Sequence, residues 1–234
     1  MTPTPASPRF RAVADHAVQV EFAETLSDDA HAAVLALDLA LASDPPRGMR
    51  EAVPAYVSLL VDFDPLETDH RAVESSLRRL IQAGATVNRQ PAERVVEVCY
   101  DAPLAPDLDA VAQRTGLDRE AVIAAHLAGR YHVYMYGFAP GYAYLAGVPP
   151  ALRLNRKPAP VRGVVAGSVL IAGPQCLVST LTMPTGWWII GRSPTPILLD
   201  DPARPFLFDV GDRVIFRRIT RAAFELARKE GADD

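Results

Sequence analysis

Cysteine is almost absent from the 234-residue chain: only Cys99 and Cys176 occur, flanked by Val98 and Tyr100 and by Gln175 and Leu177. Neither belongs to a Cys-x-x-Cys pair or stands near a histidine at ligand spacing. A disulfide framework and a thiolate zinc centre are thereby excluded, and both residues read as buried thiols of a reducing compartment. Long hydrophobic runs are missing too. The apolar stretches last a handful of residues, far short of the roughly 20 a membrane helix needs, and residues 1–8 lack the basic-then-apolar order of a signal peptide, so the expected location is the cytoplasm. Nor is there an excess of positive charge. Lys+Arg 24 against Asp+Glu 28 gives −4, with no chain-wide footprint for phosphate backbones, so neither nucleic acid nor membrane is expected as a partner.

Two catalytic signatures are absent as well. Without a Gly-x-x-x-x-Gly-Lys-Ser/Thr loop, ATP binding by this chain alone is not expected, and without a Gly-x-Ser-x-Gly elbow a Ser-His-Asp nucleophile is not credible. Asp64, Glu67, Asp69 and His70 imitate a metal site, but they read as a solvated helix start favoured by the dipole, so no metal is expected. What is present in quantity is apolar residue content, 49%, which suffices for one large core or two small ones and excludes disorder.

The chain has two textures. In the first, residues 10–13 and 17–22 alternate around Asp15-His16 as a hairpin. A helix follows, capped by Ser27, with Val34, Leu35, Leu37, Leu39 and Leu41 on its apolar side. Residues 53–63 read as one buried strand ended by Asp64-Pro65, and residues 68–83 as a helix capped by Gly84. Residues 94–100, alternating Val95, Val96 and Val98, complete the order strand, strand, helix, strand, helix, strand. Two helices on one face of a mixed sheet is split βαβ, ferredoxin-like logic.

From Asp101 the texture changes. Residues 107–114 and 119–127 form two short amphipathic helices joined at Gly116. Beyond Tyr131 a Gly or Pro punctuates almost every ten residues between short apolar runs, the pattern of a small closed barrel or sandwich. Those runs are 131–136, 164–172, 176–180, 187–190, 197–199 and 213–218, with a surface helix over 221–234. The boundary is set at 93/94. So many short apolar strands predict a large interface with a companion or a second copy.

Chemistry is expected in this second part. Gly137-Phe138-Ala139-Pro140-Gly141-Tyr142-Ala143-Tyr144-Leu145 interleaves glycines and a proline with aromatics, which brings backbone N–H groups and ring faces near one small planar ligand, or else forms a structural turn. Ala166-Gly167-Ser168-Val169 and Pro184-Thr185-Gly186-Trp187-Trp188-Ile189-Ile190-Gly191-Arg192 place further small, aromatic and polar groups at strand ends, where pockets form.

The ordered series Tyr131-x-Val133, Gly137-Phe138-x-Pro140-Gly141-x-x-Tyr144-Leu145, Ala166-Gly167-Ser168-Val169, Gln175, Gly186-Trp187-x-x-Ile190-Gly191-Arg192 and Gly211-Asp212 resembles the family of B-type 5-oxoprolinase subunits. That family is also called allophanate hydrolase subunit 1 and includes a sporulation-kinase inhibitor. Pro106-Asp107-Leu108, His126 and Val53-x-x-Tyr56 extend the likeness to nearly the whole chain. The resemblance implies an α+β protein, with a ferredoxin-like α/β sandwich over 1–93 and a cyclophilin-like β-barrel with two leading helices over 94–234. It also implies an assembly with a companion, the C-type 5-oxoprolinase subunit, and a possible third subunit, which opens a lactam, amide or ureido compound at the expense of ATP. A carboxyltransferase half of a urea carboxylase-like enzyme and a module that inhibits a histidine kinase are the alternatives.

The expected catalytic residues are His126 and Arg192. The expected substrate contacts are Gly137, Phe138, Pro140, Gly141, Tyr144, Arg156, Ser168, Gln175 and Trp187. His126 is otherwise a core or C-cap histidine. Arg156 and Arg192 suit bidentate capture of a carboxylate or carboxyphosphate-like anion, or otherwise surface pairing with Asp200 or Asp201. Ser168 and Gln175 suit an amide edge, although Ser168 also suits a turn cap. The chain departs from the family pattern at Asn155-Arg156, Ser179-Thr180 and Met183-Pro184-Thr185, which are loops expected to choose the substrate.

Overall fold

The computed structural model describes residues 8–84 and 91–230, so the expectations for residues 1–7 and for the helix end at 231–234 lie outside the described residues. The chain divides into two compact units, residues 1–90 and 91–234.

In the first unit, β1 (Arg9–Val13) and β2 (Ala17–Glu21) form the expected hairpin, followed by α1 (Asp28–Ser43). The Ser27 hydroxyl accepts the Ala30 N–H, and Asp28 and Asp29 complement the helix dipole in the first turn. The expectation of a single strand over 53–63 is corrected: β3 (Met49–Ala55) and β4 (Ser58–Phe63) are the arms of a hairpin that turns at Tyr56-Val57. No glycine, proline, Asn or Asp marks that turn, and Tyr56 takes it at φ +21, so the apolar run hid it. Pro54 is tolerated because β3 is an edge strand. α2 (His70–Ala83) starts on an Asp69 cap and ends at Gly84 in the left-handed region.

The sheet order is β1-β2-β4-β3, antiparallel throughout rather than mixed. The strand expected after α2 does not join this sheet, whose edges are β1 and β3. Alternate residues Val18, Val20, Leu59, Val61 and Phe63 face Val34, Leu37, Leu41, Val73, Leu77 and Leu80 of the helices, which makes one core on one face of the sheet.

The second unit contains β5 (Glu93–Val98), α3 (Leu108–Thr115), α4 (Arg119–Leu127), β6 (Tyr131–Tyr136), β7 (Ala143–Ala146), β8 (Val161–Val164), β9 (Ser168–Ala172) and β10 (Gln175–Val178). β11 (Met183–Thr185), β12 (Trp188–Arg192), β13 (Arg213–Arg218) and α5 (Arg221–Glu230) complete it. Here too a correction is needed. β5 does not close the first sheet; it runs parallel to β13, where Val96 and Val98 join the core of this unit. The apolar run at 164–172 is likewise divided, by the Val165–Gly167 turn between β8 and β9, and residues 197–199 contribute only an isolated bridge, Leu198 to Phe206.

Seven strands follow the order β12-β9-β10-β7-β6-β13-β5, and the two edges meet where Cys99 and Arg192 exchange N–H···O bonds of 2.8 and 2.9 Å. The sheet is a nearly closed barrel, which removes exposed edges. Gly191 permits the closure, because a Cβ there would lie 2.6 Å from Val98 Cγ1. α3 and α4 add Leu108, Val111, Val122 and Ile123 to the barrel core. On the outer face, Leu170, Leu177 and Ile189 pack with Tyr142, Trp187 and Val164 in a separate cluster, where the two-stranded β8–β11 ribbon contributes Val164 and Met183.

Candidate functional site

His126, expected as catalytic, lies on α4 with no exposed surface. Its Nδ1 is 2.7 Å from the Tyr100 hydroxyl, its Nε2 is 3.7 Å from Cys176 Sγ, and its ring packs on Phe216 and Tyr131. Burial holds the imidazole neutral by lowering its pKa to about 3, and raises the Cys176 thiol far above its ordinary value. Both cysteines are free and buried, as expected. Among the described residues no group of His, Cys, Asp and Glu suits a metal ion; Asp69 caps α2, and Asp64 pairs with Arg50.

The glycine-aromatic run forms the β6–β7 loop. Gly137 N–H bonds to Tyr142 O at 3.1 Å, Pro140 O accepts from the Thr180 hydroxyl at 2.7 Å, and Gly141 abuts Leu198. Phe138, at φ +74, is 77% exposed. Beyond the loop the rings form a chain: Tyr142 to Tyr144, Tyr144 to Trp187 at 6.0 Å, and the Arg156 guanidinium 5.6 Å over Trp187. Tyr144, Trp187 and Arg156 therefore sit together at the outer cluster. Gln175 opens β10 opposite Ala146 and Ala172. Ser168 is buried in its own turn, where its hydroxyl donates to Val165 O and its N–H bonds to Ser179 Oγ, so the turn-capping alternative describes its geometry.

Arg192 is elsewhere. A cleft of about 740 Å³ opens outside the barrel wall beside the β5–β12 seam. Val95, Glu97 and Arg217 line it from the faces of β5 and β13 opposite the core, the segment 193–198 adds Ser193 and Thr195, and α5 adds Arg228. The turn before β9 lines it as well. Gly167, at φ +82, bonds to Ser193 N–H through its carbonyl at 2.7 Å, and a Cβ there would lie 2.4 Å from Ser193 O. Two of the sequence motifs, Ala166-Gly167-Ser168 and Gly191-Arg192, thus meet at one cleft, and the glycine-aromatic loop touches it only through its neighbours Thr180 and Leu198.

The Arg192 guanidinium lies 5.9 Å over the Phe224 ring and has no carboxylate partner among the described residues, Asp200 and Asp201 included. Burial first, then the Arg228 charge, pull its pKa down, while Glu225 opposes them. Glu97 is occupied by Arg217 at 2.7 Å. Ser193 Oγ accepts Thr195 N–H and Thr195 Oγ1 accepts Glu97 N–H, which leaves both hydroxyl protons to donate. The cleft therefore offers cationic and neutral donors to an anion. Glu97, Ser193, Thr195, Arg217 and Arg228 escaped the sequence reading. The one local signal was Ser193-Pro194-Thr195-Pro196, whose prolines hold an extended segment after Arg192.

Comparison with known proteins fits this architecture. Residues 8–208 match the model of the carboxyltransferase domain, subdomain C and D. Over 230 residues, 92% of this chain and 95% of the relative, the chain is 34% identical to the B-type 5-oxoprolinase subunit of Bacillus subtilis (strain 168). The chain belongs to the family of B-type 5-oxoprolinase subunits. Among solved structures in this neighbourhood, TTHA0988 superposes with a TM-score of 0.75 at 38% identity over 88% of this chain. This chain spans only 40% of the length of TTHA0988. The urea amidolyase of K. lactis has the same fold, with a TM-score of 0.79 at 17% identity over 95% of this chain and 15% of its own.

Proposed function

We propose that this chain is one subunit of a cytoplasmic, ATP-dependent amidohydrolase that opens 5-oxoproline or a related lactam, amide or ureido compound beside a companion subunit. Three curated relatives, from Bacillus subtilis, Escherichia coli O157:H7 and Haemophilus influenzae, are named as B-type subunits of 5-oxoprolinase. The observation that carries the reading is Arg192, without a carboxylate partner among the described residues, in its cleft. A planar guanidinium meets both oxygens of a substrate carboxylate at once, and the Ser193 and Thr195 hydroxyls add donors beside it.

The role of this chain is to bind and orient. Among the described residues the only carboxylate lining the cleft, Glu97, is tied to Arg217, and the buried neutral His126 serves the barrel core, so neither is assigned as a general base. The nucleotide and the reacting groups are assigned to the rest of the assembly. A carboxyltransferase half is the second reading, favoured by the domain match. In fold terms we read the first unit as ferredoxin-like, with β1 in the place of its last strand, and the second as a cyclophilin-like barrel.

Co-expression with the companion tests the assembly: a stable complex with substrate-dependent ATP turnover is expected, and separate, inactive proteins refute it. Within that complex Arg192→Lys is expected to weaken substrate binding about ten- to a hundredfold, the loss of a charge-assisted pair. Arg156→Lys, at the outer cluster, is expected to change it little. Equal and negligible losses would remove the anion-reading role from both.

A further inference from the structure

The charges around the cleft do not balance. Among the described residues Arg192, Arg217 and Arg228 line it against a single carboxylate, Glu97, which is already bonded to Arg217. The other acid near Arg192, Glu225, pairs with Arg221 at 3.5 Å on its own helix. Among the described residues neither Arg192 nor Arg228 has an ion-pair partner, so two guanidiniums without a bonded carboxylate face one cavity, Glu225 acting on Arg192 only from a distance. They reach it from different elements, Arg192 from the end of β12 and Arg228 from the last turns of α5. Both line the one cleft, and like charges held close repel unless an anion lies between them.

We propose that the cleft is built for a compact dianion, held between Arg192 and Arg228, with the Ser193 and Thr195 hydroxyls as neutral donors. This rests on the reading of the cleft as the substrate site and deepens it, because a single carboxylate would satisfy only one of the two cations. The ligand class is a small molecule that presents either one doubly charged oxyanion or two adjacent carboxylates. Among the lactam, amide and ureido compounds proposed above, this selects one with a second acidic group over 5-oxoproline, whose single carboxylate balances only one of the two cations. α5 thereby becomes part of the binding machinery, and Arg228 is its contact residue.

The test is calorimetric titration of the full chain with inorganic phosphate, malonate and acetate at pH 8 and low salt. At least one dianion is expected to bind about tenfold or more tightly than acetate, since each further charge-assisted contact is worth roughly that factor. Tighter phosphate identifies a tetrahedral oxyanion, and tighter malonate a dicarboxylate. Arg228→Gln, on an exposed stretch of helix where misfolding is not at issue, is expected to bring dianion affinity down to the acetate level, while Arg192→Gln lowers affinity for all three. If Arg192→Gln abolishes binding but Arg228→Gln changes nothing, the dianion inference falls and the cleft reading stands. If neither variant alters binding, or the wild-type chain binds none of the probes, both fall.

Discussion

Acid should unfold the barrel through one residue. His126 is fully buried with a pKa of about 3, whereas an unfolded histidine titrates near 6.5. The folded value is depressed, so below pH 6.5 the unfolded chain takes up a proton that the native imidazole refuses, and stability falls as pH falls. From these two values the loss is about 1 kcal/mol at pH 5.5 and about 3 kcal/mol at pH 4.5, levelling off only near pH 3. Urea unfolding followed by tryptophan emission reads the correct unit, because Trp187 and Trp188 are the only tryptophans and both lie in the barrel. Measurements are made at pH 7.5, 5.5 and 4.5. Between pH 7.5 and 5.5 the carboxylates stay ionised in both states; at pH 4.5 Asp64 and Glu120, held below the usual carboxylate values by hydrogen bonds and arginine pairing, begin to add their own loss, so there the comparison with a His126 variant isolates the histidine. His126→Gln, which cannot take up the proton, is the control. Its stability should be lower at pH 7.5, nearly flat to pH 5.5, and should fall less than the wild type's between pH 5.5 and 4.5. Parallel pH slopes in the two proteins would refute the argument and return His126 to the titrating, accessible residues from which a catalyst is drawn.

Two further outcomes follow from packing. Gly191→Ala puts a methyl 2.6 Å from Val98 Cγ1 and 3.2 Å from Cys99 O at the barrel seam, so it should cost about 1–3 kcal/mol in the same urea assay; an unchanged midpoint would show that the seam is loose. Asp212 is fully buried and accepts from Arg94 Nε at 2.9 Å and from the Asp209 and Ala92 N–H groups, so Asp212→Ala should cost about 3–5 kcal/mol by leaving two amides without this acceptor and the guanidinium with Asp209 at 3.8 Å in place of its close partner. A cost below about 1 kcal/mol would mean that water replaces the carboxylate.

Local signals were legible and long-range ones were not. Ser27 and Gly84 announced helix ends because a cap is decided within a few residues, whereas the second helix, expected from residue 68, starts at His70 behind its Asp69 cap. The β3–β4 turn left no trace, because Tyr56 and Val57 are ordinary strand residues that the hairpin forces into a turn. The fate of β5 was equally hidden. Val95, Val96 and Val98 suit either sheet, and the choice is made by β13, which lies about 120 residues away and pairs with all six positions of β5. The site shows the same division. Gly167 and Arg192 stood out in their own motifs, but Glu97, Arg217 and Arg228 are single charged residues on a strand or helix, indistinguishable in sequence from a solvated face. Tyr144, Trp187 and Arg156 stood out equally and gather at the outer cluster instead, since aromatic residues between glycines serve packing as readily as binding.

Gly191 and Arg192 also link stability to recognition. The backbone of Arg192 is pinned in both directions to Cys99, so the bonds that close the barrel are the bonds that fix the root of the candidate anion-binding side chain. Gly191 must be small for the strands to approach, and their approach turns the next side chain away from the core, over Phe224 and into the cleft. Ser193, bonded to Gly167, and Thr195, bonded to Glu97, extend the same fixed line. α5 is held differently: among its described residues Phe224 alone is buried, and its Arg221 reaches the Ala102 carbonyl from outside. One arginine is therefore mounted on the most constrained part of the barrel and the other on its most lightly anchored helix. On the proposed dianion reading, a ligand that bridges them would take its first contact from the barrel seam and its second from α5, so Arg192 would set whether an anion binds and Arg228 how much charge it must carry.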